Sequence, residues 1–174
     1  MDSPADMQSR PGEHLVKELL WVHGMIRRDL DTVRRLADEV AAGTAPREIR
    51  AEIASLQTNG PLWKLRVNCL YYCRFVHSHH GAEDWMLFPA LRRADPALDP
   101  VVDKLEADHR LVSGHLDEVE AAADDLVRHD SAEGRRRVVA ALGTLAEHLL
   151  AHLDYEEKNI TPTLREWAGW PGFR

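Results

Sequence analysis

Ten histidines stand in a chain of 174 residues, and several occupy positions where a leucine would be expected. His23, His79, His109 and His152 each interrupt an apolar run, and Glu83 and Glu156 follow two of them by four residues. Residues four apart on a helix project together, so one His-x3-Glu turn can offer a ring nitrogen and a carboxylate oxygen to the same point. An ionised carboxylate at a core position costs several kcal/mol unless something neutralises it. Two such groups near each other repel, and at least one is driven to hold its proton. Four imidazoles with free lone pairs surround them, so a cation is the simplest remedy for the whole set. The count is too high for one tetrahedral zinc. Two six-coordinate ions accommodate it and leave about four positions for oxo or hydroxo bridges, water or an outside ligand. Nitrogen and oxygen donors without thiolate suit non-haem iron or manganese. Open positions allow reactivity toward O₂, peroxide or NO.

The elements that must position these groups are helices. β-branched residues never alternate with period two, and Ala, Leu, Arg and Glu dominate. A first helix is expected from Glu13 to Ala42, with its seam at Leu19, His23, Ile26, Leu30, Val33 and Ala37. Gly43, Thr44 and Pro46 should stop it. A linker with a short helix at Arg47 to Leu56 follows and ends at Asn59-Gly60-Pro61. Pro61 suits the first turn of a second helix. Its seam is Leu65, Cys69, Tyr72, Val76, His79, Glu83, Met86 and Ala90, with Pro89 expected to kink or end it. A third helix starts near Val101 with its seam at Leu105, His109, Val112, Leu116, Val119, Ala123 and Leu126. A fourth carries Val138, Leu142, Leu145, Leu149, His152 and Glu156. Ser131 should cap its start, and Pro162 should end or bend it. Four such helices with sustained three-four spacing predict an all-α, antiparallel up-down four-helix bundle. The expected layout is a flexible tail over 1–12, a bundle over 13–167 and a C-terminal tail over 168–174.

The two halves repeat each other. His79-x3-Glu83-Asp84-x2-Leu87-x-Pro89-x-Leu91 is matched by His152-x3-Glu156-Glu157-x2-Ile160-x-Pro162-x-Leu164. His23-x2-Ile26-x3-Leu30-x2-Val33 is matched by His109-x2-Val112-x3-Leu116-x2-Val119. The chain therefore reads as a helical hairpin written twice.

These segments resemble the hemerythrin-like, or HHE cation-binding, family over Glu13 to Trp167. The resemblance is carried by His23-Gly-Met-Ile-Arg-Arg, by His77-Ser-His79-His80-Gly-Ala-Glu83-Asp84, by Glu106-Ala-Asp-His109 and by His148-x3-His152-x3-Glu156-Glu157. It implies that His23, His79, His109 and His152 are terminal ligands and that Glu83 and Glu156 bridge two non-haem irons. Manganese and zinc are the alternative metals. The oxygen-carrier branch of that family has two histidines four apart on helix three, whereas this chain has Ser113 at the second position. The missing ligand must come from elsewhere, with His80 the first choice and His148 the second. A second site poorer in histidine favours sensing, iron handling or peroxide and NO chemistry over plain O₂ carriage. Three classes compete. One is an oxygen-binding or oxidative-stress-responding protein acting on a diatomic ligand or peroxide. The second is a metal-centred peroxide-decomposing, catalase-like enzyme. The third is a metal-stabilised helical interaction module. No residue is assigned a catalytic role apart from metal ligation.

Other features bound the reading. Twenty-two basic against 29 acidic residues give a net charge of −7 and no concentrated basic face, which disfavours nucleic acid as a partner. No apolar run approaches the roughly 18 to 20 residues of a membrane span. The N-terminus lacks the apolar core of a secretory signal. Two cysteines four apart suit a reducing cytoplasm. His77, Asp84 and Glu157 are read as rim or outer partners of the ligands. His14, His115 and His129 are read as surface residues. Cys69 and Cys73 are small apolar fillers, and Tyr72 is a packing residue. The arginines at 27, 28, 34, 35 and 135–137 are read as solvated. The Trp-rich C-terminal tail should pack over one bundle end and is a candidate contact for a protein partner.

Overall fold

The computed structural model describes residues 10–43 and 61–170, with side chains of the second helix from Cys69 onward. The expected helix at Arg47–Leu56, the stop residues Thr44 and Pro46, the Asn59-Gly60 turn, the Leu65 side chain and Phe173 lie outside the described residues.

Every regular element among those residues is helical. In chain order they are α1 (Glu13–Ala41), α2 (Pro61–Ala82), a π turn (Glu83–Leu87), α3 (Phe88–Ala94), a 3-10 turn (Pro96–Leu98), α4 (Asp99–Arg128) and α5 (Ala132–Leu164). Helix α1 stops where Gly43 takes a φ of +69°, a conformation that costs a residue without Cβ nothing. Ser131 caps α5 by accepting the Gly134 N–H at 2.9 Å. Asp95 does the same for the 3-10 turn through the Ala97 N–H at 3.0 Å.

Pro89 does not end the helical run, one of the two outcomes expected of it. The rod from Pro61 to Ala94 runs on by widening at Glu83–Leu87, where the Phe88 N–H bonds back five residues to the Glu83 carbonyl. A proline inside a helix removes one N–H and crowds the preceding turn, so the winding must change nearby. Here that change is the π turn, and it contains Glu83. The matching segment of α5 stays α-helical, and that helix runs two residues past Pro162 to Leu164.

Helix α1 packs on α2 and α5, and α4 packs on the same two, which closes a ring of four rods. Their buried faces follow the three-four spacing. Helix α1 buries Leu19, His23, Ile26, Leu30, Val33 and Ala37, and α4 buries Leu105, His109, Val112, Leu116, Val119, Ala123 and Leu126. The apolar core divides into two compartments. The larger holds Ile26, Leu30, Tyr72, Val76, Leu116, Leu142 and Leu149 among others. The smaller holds Val16, Leu19, Leu87, Phe88, Leu105, Ile160 and Leu164, with Trp167 and Trp170 against it. The polar residues His23, His80, Glu83, His109, His152 and Glu156, all buried, belong to neither compartment. No helix among the described residues is long and apolar enough to cross a membrane.

The first and last described residues are tied to the smaller compartment. Of the tail expected over 1–12, the described residues 10–12 are anchored. The Gly12 N–H donates to the Arg165 carbonyl at 3.0 Å, and Arg10 pairs with Glu166. Gly12 is buried because the backbone of Leu164 lies against it, and a Cβ there would sit 1.7 Å from the Leu164 carbonyl oxygen. Arg135, read from sequence as solvated, donates to the Val40 carbonyl at 2.9 Å and to Asp130, which ties the start of α5 to the end of α1. Gly12→Ala should therefore lift the start of α1 off Leu164 and cost about 1–3 kcal/mol. A thermal or urea melt followed by circular dichroism reads the loss, and an unchanged midpoint would show that this contact does not form.

Candidate metal centre

The four long rods bring seven sequence-selected residues to one level. They form two groups, each with ligand atoms within 4.8 Å of one another. His80, Glu83, His109 and His152 form one, and His23, His79, Glu83 and Glu156 form the other. Glu83 belongs to both. Its Oε1 lies 3.1 Å from His79 Nε2 and 3.9 Å from His23 Nε2, and its Oε2 lies 3.4 Å from His109 Nε2. Glu156 Oε2 is 3.4 Å from His23 Nε2 and 3.7 Å from His152 Nε2.

His79 and His80 are neighbours, so their side chains leave the helix about 100° apart. That divergence sends them to different groups. His79 sits with His23, ring centroids 5.1 Å apart, and His80 stacks on His109 at 4.0 Å. His148 is placed elsewhere. It lies one turn before His152, about 6 Å along the helix axis, and stacks on His115 at 4.7 Å, outside both groups. His115 is consequently half-buried rather than a surface residue. His14 and His129 are exposed, as expected. His77 faces Asp117 at 3.7 Å.

Two outer carboxylates fix the ring tautomers. The His23 Nδ1–H donates to Glu157 Oε1 at 2.8 Å, and the His109 Nδ1–H donates to Asp84 Oδ1 at 2.7 Å. A carboxylate can only accept here, so each ring carries its proton on the outer nitrogen and turns its Nε2 lone pair inward. Arg27 donates to Glu157 at 2.7 Å and to Asp154 at 2.7 Å. It was read as solvated from sequence. The signal available was its place four residues after His23, on the same face of α1.

The centre fits a cation on its own geometry. His23 Nε2, His79 Nε2, His80 Nε2, both oxygens of Glu83 and both of Glu156 are buried without a hydrogen-bond partner. His109 Nε2 and His152 Nε2 face each other at 3.1 Å. Buried polar atoms ordinarily find partners, and each orphaned neutral one costs about 1–3 kcal/mol, a carboxylate more. So many converging orphans mark a place for positive charge.

The protonation behaviour of the bare chain agrees. Burial, then the charge of Glu156, holds the Glu83 carboxyl well above its usual range. Burial also raises Glu156. Burial and then the neighbouring histidines push His79 down to about 3, and His80, His109 and His152 also fall. The outer acids differ. Burial would raise Glu157, but hydrogen bonds from His23 and Arg27 outweigh it and hold it low. Asp84 is raised by burial and by Glu106, against a weaker opposing pull from Arg110. Elsewhere, burial lifts the Cys69 thiol to about 12 and Cys73 likewise, which suits their packing role. Tyr72 is buried in the larger compartment with no partner for its hydroxyl.

These shifts set the pH response of chelator-treated protein. Depressed imidazoles mean that the unfolded chain takes up protons the folded one refuses, so stability falls as pH drops below about 6.5. Raised carboxyls mean that the folded chain keeps protons the unfolded one releases, so stability also falls as pH climbs beyond that region. Urea midpoints across pH 5 to 9 should peak near pH 6.5 to 7 without metal. Metal addition near pH 6.5 should release up to two protons per chain, read with an indicator dye. A flat profile with no proton release would contradict the arrangement.

Comparison with curated proteins finds no match, and comparison with solved structures finds none. A family model for the Hemerythrin HHE cation binding domain matches residues 14–164. That span covers most of the 174 residues and includes all seven inward donors, so the chain belongs to the hemerythrin HHE cation-binding domain family.

Proposed function

We propose that the chain holds a pair of non-haem iron ions and uses them to bind or respond to O₂, peroxide or NO. The observation that carries this reading is the pair of donor groups joined through Glu83, with its inward atoms left unsatisfied by protein. In this reading His80, His109 and His152 would hold one ion and His23 and His79 the other, with Glu83 and Glu156 supplying the carboxylates. Mixed nitrogen and oxygen donors without thiolate favour iron or manganese over closed structural zinc. Bound iron would supply redox chemistry. The chain's part is to orient the lone pairs through Glu157 and Asp84 and to hold the donors between two apolar compartments.

The same reading includes an up-down bundle built from a duplicated hairpin. Contacts between α1 and α5 support the opposed direction, since Glu13 meets Arg165, Arg27 meets Asp154 and Val40 meets Arg135. Duplication is supported by reciprocity, because the second acid of each His-x3-Glu-acid turn holds the histidine of the next long helix around the ring, α1 following α5. Asp84 on the π turn takes His109, and Glu157 on α5 takes His23. Ser113 lines a polar cavity beside His80 and His109, so His80 stands near the position left by the missing helix-three histidine.

Metal analysis with an optical spectrum of aerobically purified protein tests the proposal. About two irons per chain with ligand-to-metal bands in the near ultraviolet are expected. Stoichiometric zinc with a featureless spectrum would overturn it in favour of a structural module. His80→Ala should lower the content to about one ion per chain, while His148→Ala and His129→Ala should leave it at two. Glu156→Ala should strip metal and destabilise the bundle, because the inward charges are then unbalanced.

A further inference from the structure

A cavity of about 260 Å³ lies between α1, the π turn and the C-terminal segment. Its walls are Leu19, Val22, Ala82, Met86, Leu87 and Trp170, and its floor is His79 and Glu83. Glu18 completes the rim, where its Oε2 accepts the indole N–H of Trp170. The indole N–H is thereby satisfied, and most of the lining is apolar. His79 and Glu83 are the two inward donors that line it, with 11% and 6% of their side chains exposed, against 0% for His23, His152 and Glu156.

The opposite side of the donor cluster is different. There a cavity of about 420 Å³ beside His80 and His109 is lined by His77, Asp84, Glu106, Arg110 and Ser113. Water and ions thus have a polar approach of their own and do not need the apolar one. Size narrows the occupant further. An apolar cavity of about 150 Å³ stays dry and accepts benzene or xenon. A diatomic comparable to the roughly 30 Å³ share of a liquid water would leave most of 260 Å³ empty.

We propose that this cavity is a binding chamber for a small uncharged apolar organic molecule, of benzene to toluene size, held under Trp170 and above the His79–Glu83 edge. Trp170 lies beyond the family-matched residues 14–164, so the roof belongs to this chain's own C-terminal segment. The chamber stands on its walls alone. Only the consequence that its occupant meets a metal rests on the function proposed above.

Calorimetric titration of the purified full-length protein with toluene tests it, with metal content measured on the same samples. Saturable binding of one toluene per chain is expected. Val22→Trp and Met86→Trp, which fill the chamber from opposite walls, should each weaken it at least tenfold with metal content retained. Trp170→Ala should weaken it severalfold. Absence of saturable binding, or unchanged affinity in both filled variants, overturns the proposal. Toluene binding in protein that holds no metal would sink the metal reading and leave the chamber standing. Full metal content without toluene binding would do the reverse.

Discussion

Two carboxylates share the interior of this bundle, and everything around them is arranged to make that tolerable. Glu83 is 5% exposed and Glu156 is fully buried. Burying one leucine gains about 1.5–3 kcal/mol, which does not cover the several kcal/mol that an uncompensated buried carboxylate costs. The bare chain answers by keeping protons on its acids and off its imidazoles. A cation answers better, because it satisfies carboxylate oxygens and imidazole lone pairs at once. The donor level is therefore an energetic liability that only a ligand removes.

The helices carry that liability by splitting their apolar contacts into two compartments around it. The larger one behaves as an ordinary bundle core. The smaller one is closed by parts from far apart in sequence, namely Val16 and Leu19 near the start, Phe88 and Leu91 just beyond the π turn, and Leu164 and Trp167 near the end. Gly12 docking on Leu164 and Arg92 reaching Asp99, Asp103 and Glu106 seal the same end. The donor level is thus held between apolar layers and not at a loose rim.

The seams of α1 and α4 were legible because 3.6-residue periodicity registers burial directly, and a histidine at a leucine position stands out against it. The Ser131 cap was legible because capping is local chemistry. The π turn was not, since five residues wound one step wider leave no periodic trace in Glu83-Asp84-Trp85-Met86-Leu87; only Pro89 hinted at a disturbance. The close approach at Gly12 depends on Leu164, about 150 residues away, and no local pattern encodes it. Adjacent histidines such as His79 and His80 defeat a reading that allots one residue per turn to the core. Both find a partner only because a helix flanks the second helix on either side. Arg27 escaped notice because a charged residue on an outer face looks the same whether it meets water or Glu157.

The unequal backing of the two outer acids gives the centre an electrical polarity. Glu157 accepts from both Arg27 and the His23 N–H, so a cation stands behind that histidine's partner. Asp84 has no arginine hydrogen-bonded to it among the described residues; it holds His109 while feeling Glu106, with only a weaker opposing pull from Arg110. The repeated sequence pattern could have given both outer acids the same surroundings. Instead an arginine stands behind one acid and a second acid stands near the other, so the two ends of the donor level carry different charge around them.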